Sequence, residues 1–200
     1  METFSKFSLP IYFTLFFGLA LFLPSYRVWK TTGVNPYKFG TSDSAHDYIG
    51  RTFRLVMVGC ALVVIVFAFL PDVYPLLLPI QYLQTNTLVV IGQVLLSVAL
   101  IWVLIAQVHM QKSWRIGIDE GTKTELVQTG LFKLSRNPIF LGMRVMLLGL
   151  FLTLPTAITF TILVVGELLI QIQVRLEEDF LTRTHGESYR AYQKQVRRWL

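Results

Sequence analysis

Residues 138–176 read PIFLGMRVMLLGLFLTLPTAITFTILVVGELLIQIQVRL. Two long apolar runs, 138–153 and 156–176, are separated only by Leu154 and Pro155. A bilayer-spanning helix needs about 20 largely apolar residues. Proline breaks a helix by removing a donor and crowding the preceding turn. The stretch therefore predicts two spans joined in a tight hairpin. Working back along the chain, three more runs have the same character, at about 8–26, 53–70 and 87–108. The second of these is stopped by Pro71. The first is too long, and too poor in small residues at its end, to be a signal peptide. The fold class this predicts is an all-α polytopic membrane protein with about five transmembrane helices.

Composition points the same way. Of 200 residues, 54% are apolar and 15% charged, and mean hydropathy is +0.56. A soluble domain carries about 25% charge, so a soluble enzyme is excluded. The formal net charge of +6 would suggest nucleic acid in a soluble chain. Here the positive-inside rule explains it better, and no nucleic-acid partner is expected. Arg27, Lys30, Lys38 and Arg51 follow the first span, and Lys112, Arg115, Lys123, Lys133 and Arg136 follow the third. Arg183, Arg190, Lys194, Arg197 and Arg198 fill the tail, whereas 71–86 and 154–155 contain no Lys or Arg. This predicts a cytoplasmic C-terminus and an outer N-terminus. A single cysteine, Cys60, excludes an intramolecular disulfide. His46, His109 and His185 lack the spacing of a metal site, and no metal is expected.

Polar residues gather in 109–137 and 173–190, which predicts a site on the cytoplasmic side of the membrane. Arg144 and Glu167 are ionisable groups inside the last two spans. Such groups face an interior or a cavity, often paired. At similar depth in a hairpin the two can meet, either as a packing ion pair or as catalytic groups. Gly130 permits a tight turn before the fourth span. Pro138 suits its first position, with Asn137 as N-cap and free amides able to hold a carboxylate. Glu177, Glu178 and Asp179 close the fifth span. Acids at a helix C-terminus oppose its dipole unless solvated or held by a cation. In 187–200, Tyr189, Tyr192, Val196 and Trp199 recur at helical spacing among Arg190, Lys194, Arg197 and Arg198. This predicts a basic amphipathic helix on the anionic leaflet, or a helix packed on the protein.

Two runs together resemble the isoprenylcysteine carboxyl methyltransferase family and the related phospholipid methyltransferases. One is Leu126-Val127, Gly130, Phe132 and Arg136-Asn137-Pro138-Ile139-Phe140. The other is Glu177-Glu178 followed by Gly186, Tyr189 and Tyr192. The likeness covers about 113–200. It implies a catalytic region over 111–200, with the transmembrane helices of 1–110 integrated in the same domain. It also implies methyl transfer from S-adenosylmethionine to a lipophilic acceptor, possible acceptors including an isoprenylcysteine-like carboxylate, with membrane lipids as partners. By the same resemblance, Asp119, Thr124, Glu125, Leu126, Val127, Phe132, Asn137, Pro138, Ile139, Phe140 and Glu177 contact the cofactor. An aromatic wall favours a sulfonium by cation–π attraction.

The chain departs from the family at three places. The family's histidine is Asn137, which cannot titrate near neutral pH. Its final tyrosine is Phe140. Its arginine for the substrate carboxylate falls on Gln173, leaving Arg175, two residues on and about 200° around the helix, as the candidate replacement. Arg175, Arg144 and Glu167 are therefore the expected catalytic groups. An amine or thiol acceptor would need a base, for which Asp119, Glu120 and Glu178 are available. The alternatives are a membrane NADPH-dependent reductase of the sterol-reductase type and a non-catalytic scaffold that retains the fold.

Overall fold

The computed structural model describes residues 1–33, 44–110 and 126–200. The expected cofactor contacts Asp119, Thr124 and Glu125 lie outside the described residues. The chain opens with α1 (Glu2–Leu15), which passes through a π-helical segment (Phe16–Phe22) into α2 (Leu23–Thr32). The long helices α3 (Ala45–Phe69) and α4 (Asn86–Met110) follow, then α5 (Pro138–Thr153), α6 (Ala157–His185) and α7 (Glu187–Gln195). Among the described residues no β-strand forms. Four helical stretches are long and apolar enough to cross a membrane: Glu2–Thr31, Ala45–Phe69, Asn86–Met110 and Ala157–His185. The fifth, α5, has 16 residues. At 1.5 Å per residue it falls short of a bilayer core about 30 Å thick. The chain is thus a multi-pass membrane protein.

The helices face outward with apolar stripes. On α3 these are Leu55, Val58, Leu62, Ile65 and Phe69; on α4 Val94, Val98, Ile101 and Ile105; on α6 Phe160, Val164, Leu168 and Ile172. A spacing of three and four residues places each set on one helix face. In water such patches would drive association, whereas in a bilayer they meet lipid.

Inside, α4 packs on α5, α5 on α6, α6 on α3 and α3 on α1, and the π segment returns to α4. The order of neighbours closes on itself around a shared core of Phe16, Met57, Val103, Met146 and Ile170. Between helices in lipid, close approach of small residues replaces the hydrophobic drive. Gly92 of α4 shows this. A Cβ there would lie 2.4 Å from the Thr153 hydroxyl and 2.7 Å from the Gly149 carbonyl. Overpacking typically costs about 1–3 kcal/mol. Gly92→Ala is therefore expected to lower the thermal midpoint by several degrees. Gly18→Ala, with nothing within 4 Å, should leave it nearly unchanged. Equal midpoints would contradict the close crossing.

The π segment has a local cause. Pro24 has no N–H, so the Ala20 carbonyl four residues earlier loses its helical donor. The Leu23 N–H instead reaches five residues back to Gly18. The Gln107 side chain, arriving from α4, donates to the Ala20 carbonyl.

The hairpin turn is fixed by its threonines. Thr156 caps α6 by accepting from the Thr159 N–H at 3.0 Å, while its own N–H donates to the Thr159 hydroxyl. The loop between α3 and α4 docks on this turn: the Ile80 N–H donates to the Pro155 carbonyl, and the Ala157 N–H to the Leu78 carbonyl.

Candidate active site

At the opposite end of the bundle, three segments meet: the loop entering α5, the second half of α6 and the chain end after α7. Their junction is the Glu178 carboxylate, which is buried. Arg136 donates to it from Nε and Nη2 at 3.0–3.2 Å. Arg198 reaches it at 2.8 Å, and Asn137 Nδ2 at 3.0 Å. Arg136 also donates to the Val196 carbonyl at 2.6 Å, and its backbone N–H to the Arg197 carbonyl at 2.9 Å. Two guanidinium groups and an amide thus hold one buried carboxylate. A buried charge persists only with such pairing.

Four sequence expectations change here. The acids do not end the helix, because α6 continues to His185; the dipole argument therefore does not apply to them. Asn137 stands at the N-cap position, but its side chain makes no capping bond. Its amide goes to Glu178 instead. Glu178, with its oxygens taken by two arginines, is a structural anchor and not an available base. The tail helix also departs from the leaflet-bound reading. Tyr189 and Tyr192 are buried against the protein. Burial pushes the Tyr192 phenol up to about 12, so it stays protonated and donates to the Phe132 carbonyl at 2.5 Å.

Glu177, one residue earlier and about 100° around α6, points elsewhere. It lines a cavity of about 500 Å³. Ile139, Phe140 and Met143 of α5 form one wall of this cavity, and Val103, Gln107 and Met110 of α4 another. Phe16 and Phe17 of the π segment, with Ile49, Phe53 and Met57 of α3, complete the apolar walls. Arg54 and Gln173 also belong to the lining. Along α3 the cavity runs from Ile49 to Ala61, about 18 Å at 1.5 Å per residue. Gln173 Nε2 donates to Glu177 Oε1 at 2.9 Å.

Of the expected cofactor contacts, Ile139, Phe140 and Glu177 share this cavity. Pro138 and Asn137 are buried, one and two residues before Ile139, and the Pro138 carbonyl accepts from Trp102 Nε1 at 2.9 Å. Phe132 is buried under the tail, and Leu126 and Val127 are half-buried in the loop. None of these three belongs to the cavity wall. Gly130 has φ 60°, and a Cβ there would lie 2.3 Å from the His109 ring. The turn therefore seats the loop directly on the end of α4.

The expected catalytic groups form a separate chain. Arg144 Nε lies 2.7 Å from Glu167 Oε2, and its guanidinium stacks 4.4 Å from the Trp199 ring centroid. Gln171 donates to Glu167 at 2.8 Å, and Arg175 donates to Gln171 Oε1 at 2.9 Å. Arg175 is exposed. None of Arg144, Glu167 and Arg175 lines the cavity. The first two form the ion pair that their matched depth allowed. Removing one partner leaves a charge uncompensated, which for a buried pair costs about 3–5 kcal/mol. These side chains are about one-third exposed, so the expected loss is smaller. Arg144→Met should lower the thermal midpoint, and Arg144→Met with Glu167→Gln should recover part of it. A double variant no more stable than the single would contradict the pairing.

Sequence reasoning missed the walls contributed by the π segment, α3 and α4. Two carried a signal. Arg54 and Gln107 are polar residues within apolar spans, the same mark that singled out Arg144 and Glu167.

A family model for phospholipid methyltransferase matches residues 87–188. The chain belongs to the phospholipid methyltransferase family. No curated protein and no solved structure matches it. The match covers α4, α5, α6 and the start of α7, and so includes Ile139, Phe140 and Glu177. The walls from the π segment and α3 lie outside it. Membership of the phospholipid methyltransferase family makes this multi-pass chain a membrane methyltransferase.

Proposed function

We propose that the chain transfers a methyl group from S-adenosylmethionine to a lipophilic acceptor held in the cavity, at the cytoplasmic side of the membrane. The observation that carries this reading is the convergence of Glu177, Ile139 and Phe140 on one apolar cavity. Membership of the phospholipid methyltransferase family supports a lipid acceptor. The bound cofactor supplies a methyl group on a sulfonium, activated for in-line displacement. Glu177 offers a carboxylate for its ammonium, and Phe140 offers an aromatic face to the positive sulfur. Leu126, Val127, Phe132, Asn137 and Pro138 build the loop and helix start that border this end. The walls from the π segment, α3 and α4 hold the acceptor's apolar part and exclude water, so the protein's contribution is orientation and desolvation. A carboxylate acceptor such as that of an isoprenylcysteine-like molecule is ionised at pH 7 and needs no base. Arg54 is the cation in the lining that could meet it.

Incubation of the purified protein with methyl-labelled S-adenosylmethionine and a membrane lipid extract should yield a labelled lipid. Absence of incorporation would contradict the reading. The proposed orientation has its own test. A C-terminal fluorescent fusion should glow and a C-terminal phosphatase fusion should be inactive. The opposite result would reverse the topology.

A further inference from the structure

The hydrogen-bonded chain of Arg144, Glu167, Gln171 and Arg175 lies outside the cavity. It runs beside the lipid-facing stripe of α6. Glu167 precedes Leu168 and Gln171 precedes Ile172, both exposed apolar residues. At 1.5 Å per residue, Glu167 is about 15 Å along α6 from Ala157, and Arg175 about 27 Å. In a bilayer core about 30 Å thick, the chain climbs from the membrane interface on the Glu178 side to the middle of the span. The Arg144 and Glu167 side chains are 30% and 34% exposed, and neither lines the cavity. Ionisable groups turned to hydrocarbon are costly and call for a polar partner.

What this chain still offers is one-sided. Glu167 accepts from Arg144 on one oxygen and from Gln171 on the other, and Gln171 Oε1 accepts from Arg175. Every side-chain acceptor atom is thus in use, and the unspent groups are N–H donors. Arg144 gives its Nε to Glu167 and one face to the Trp199 ring. Among the described residues its two Nη atoms have no partner. Arg175 spends Nη1 on Gln171, which leaves its Nε and Nη2. Two guanidinium groups against one carboxylate also leave one positive charge. Of the acids that follow, Glu177 lines the cavity, and Glu178 is held by Arg136 and Arg198. Asp179 is exposed one turn beyond Arg175 and joins no ion pair among the described residues.

We propose that Arg144, Arg175 and Trp199 form a site on the outer face of the α5–α6 hairpin for the phosphate of an acidic phospholipid in the adjoining leaflet. The planar edge of a guanidinium matches phosphate oxygens two at a time. Basic pockets between spanning helices near the interface take acidic head groups in this way. The phosphate supplies acceptors to the open donor edges and offsets the surplus charge. The acyl chains run along Val164, Leu168 and Ile172. A zwitterionic head group brings its own cation and fits less well. The site is separate from the cavity and does not depend on the methyltransferase reading.

The test is the thermal midpoint of the purified full chain in neutral detergent, titrated with dioleoylphosphatidylglycerol or dioleoylphosphatidylcholine. A ligand that binds only the folded state raises the midpoint as its concentration rises. Phosphatidylglycerol should raise it further than phosphatidylcholine. One basic residue facing acidic lipid corresponds to about fivefold in affinity. Arg175→Gln should therefore need about fivefold more phosphatidylglycerol for the same rise, and Arg175→Lys less, because the charge stays. Arg144→Lys, which keeps the charge and loses the fork, should also bind more weakly. Arg175 is exposed, so its variants carry the test if Arg144→Lys folds poorly. Arg190→Gln removes an exposed charge from α7 and should titrate as the parent does. The proposal is overturned if the parent responds alike to both lipids, or if Arg175→Gln titrates as the parent. Equal weakening by Arg175→Gln and Arg190→Gln would overturn it too, by showing only diffuse surface attraction. Light scattering on the same samples should find one chain per micelle. A two-chain particle that Arg175→Gln separates would give this face to a second copy and not to lipid.

Discussion

Glu178→Ala is expected to be the most destabilising single substitution in the chain. It leaves Arg136 and Arg198 without the carboxylate that joins them, and frees the Asn137 amide. Breaking a buried ion pair by removing one partner costs about 3–5 kcal/mol. That is a large share of a total stability of about 5–15 kcal/mol. For a chain of this length it corresponds to a midpoint lower by roughly 6–20 °C. Cys60 provides the probe. It is the single cysteine and is fully buried, so a thiol-reactive dye labels the protein only as it unfolds. Glu178→Gln keeps one acceptor oxygen and should fall between parent and alanine variant. Unchanged labelling of Glu178→Ala would contradict the view that this carboxylate ties the loop, α6 and the tail together.

The membrane architecture was legible because its signals are local. Apolar runs of sufficient length, Pro71 and Pro155 each act within a few residues. The pairing of Arg144 with Glu167 was legible for the same reason, since a two-residue turn sets both spans at matched depth. What the sequence hid depends on distant partners. The three acids read as a helix end because a local view sees only their cost against the helix dipole. The helix continues past them because Arg198, twenty residues on, and Arg136, across the hairpin, neutralise Glu178. The spacing of Tyr189 and Tyr192 shows an apolar face but not what covers it. Tyr192 faces Phe132, not lipid. The cavity shows the same division. Ile139, Phe140 and Glu177 were found through motifs in the C-terminal half, where the family likeness runs. Phe16 and Phe53 come from segments that likeness does not reach, and only a closed order of helix neighbours brings them alongside.

Glu177 carries the central claim. It sits on the same helix turn as the anchor Glu178 but lines the cavity with Ile139 and Phe140. Charge-assisted hydrogen bonds contribute about 1.5–3 kcal/mol. Glu177→Gln keeps the shape and removes the charge, so S-adenosylmethionine should bind about ten- to hundredfold more weakly. Glu187 is the control. It lies in the tail, pairs with exposed Arg190 at 2.7 Å and is far from buried, so Glu187→Gln should bind as the parent does. Isothermal titration of S-adenosylmethionine into the parent, Glu177→Gln and Glu187→Gln proteins is the most direct measurement. The account predicts a selective loss of affinity in Glu177→Gln. Equal affinity for all three would contradict the placement of the cofactor in this cavity.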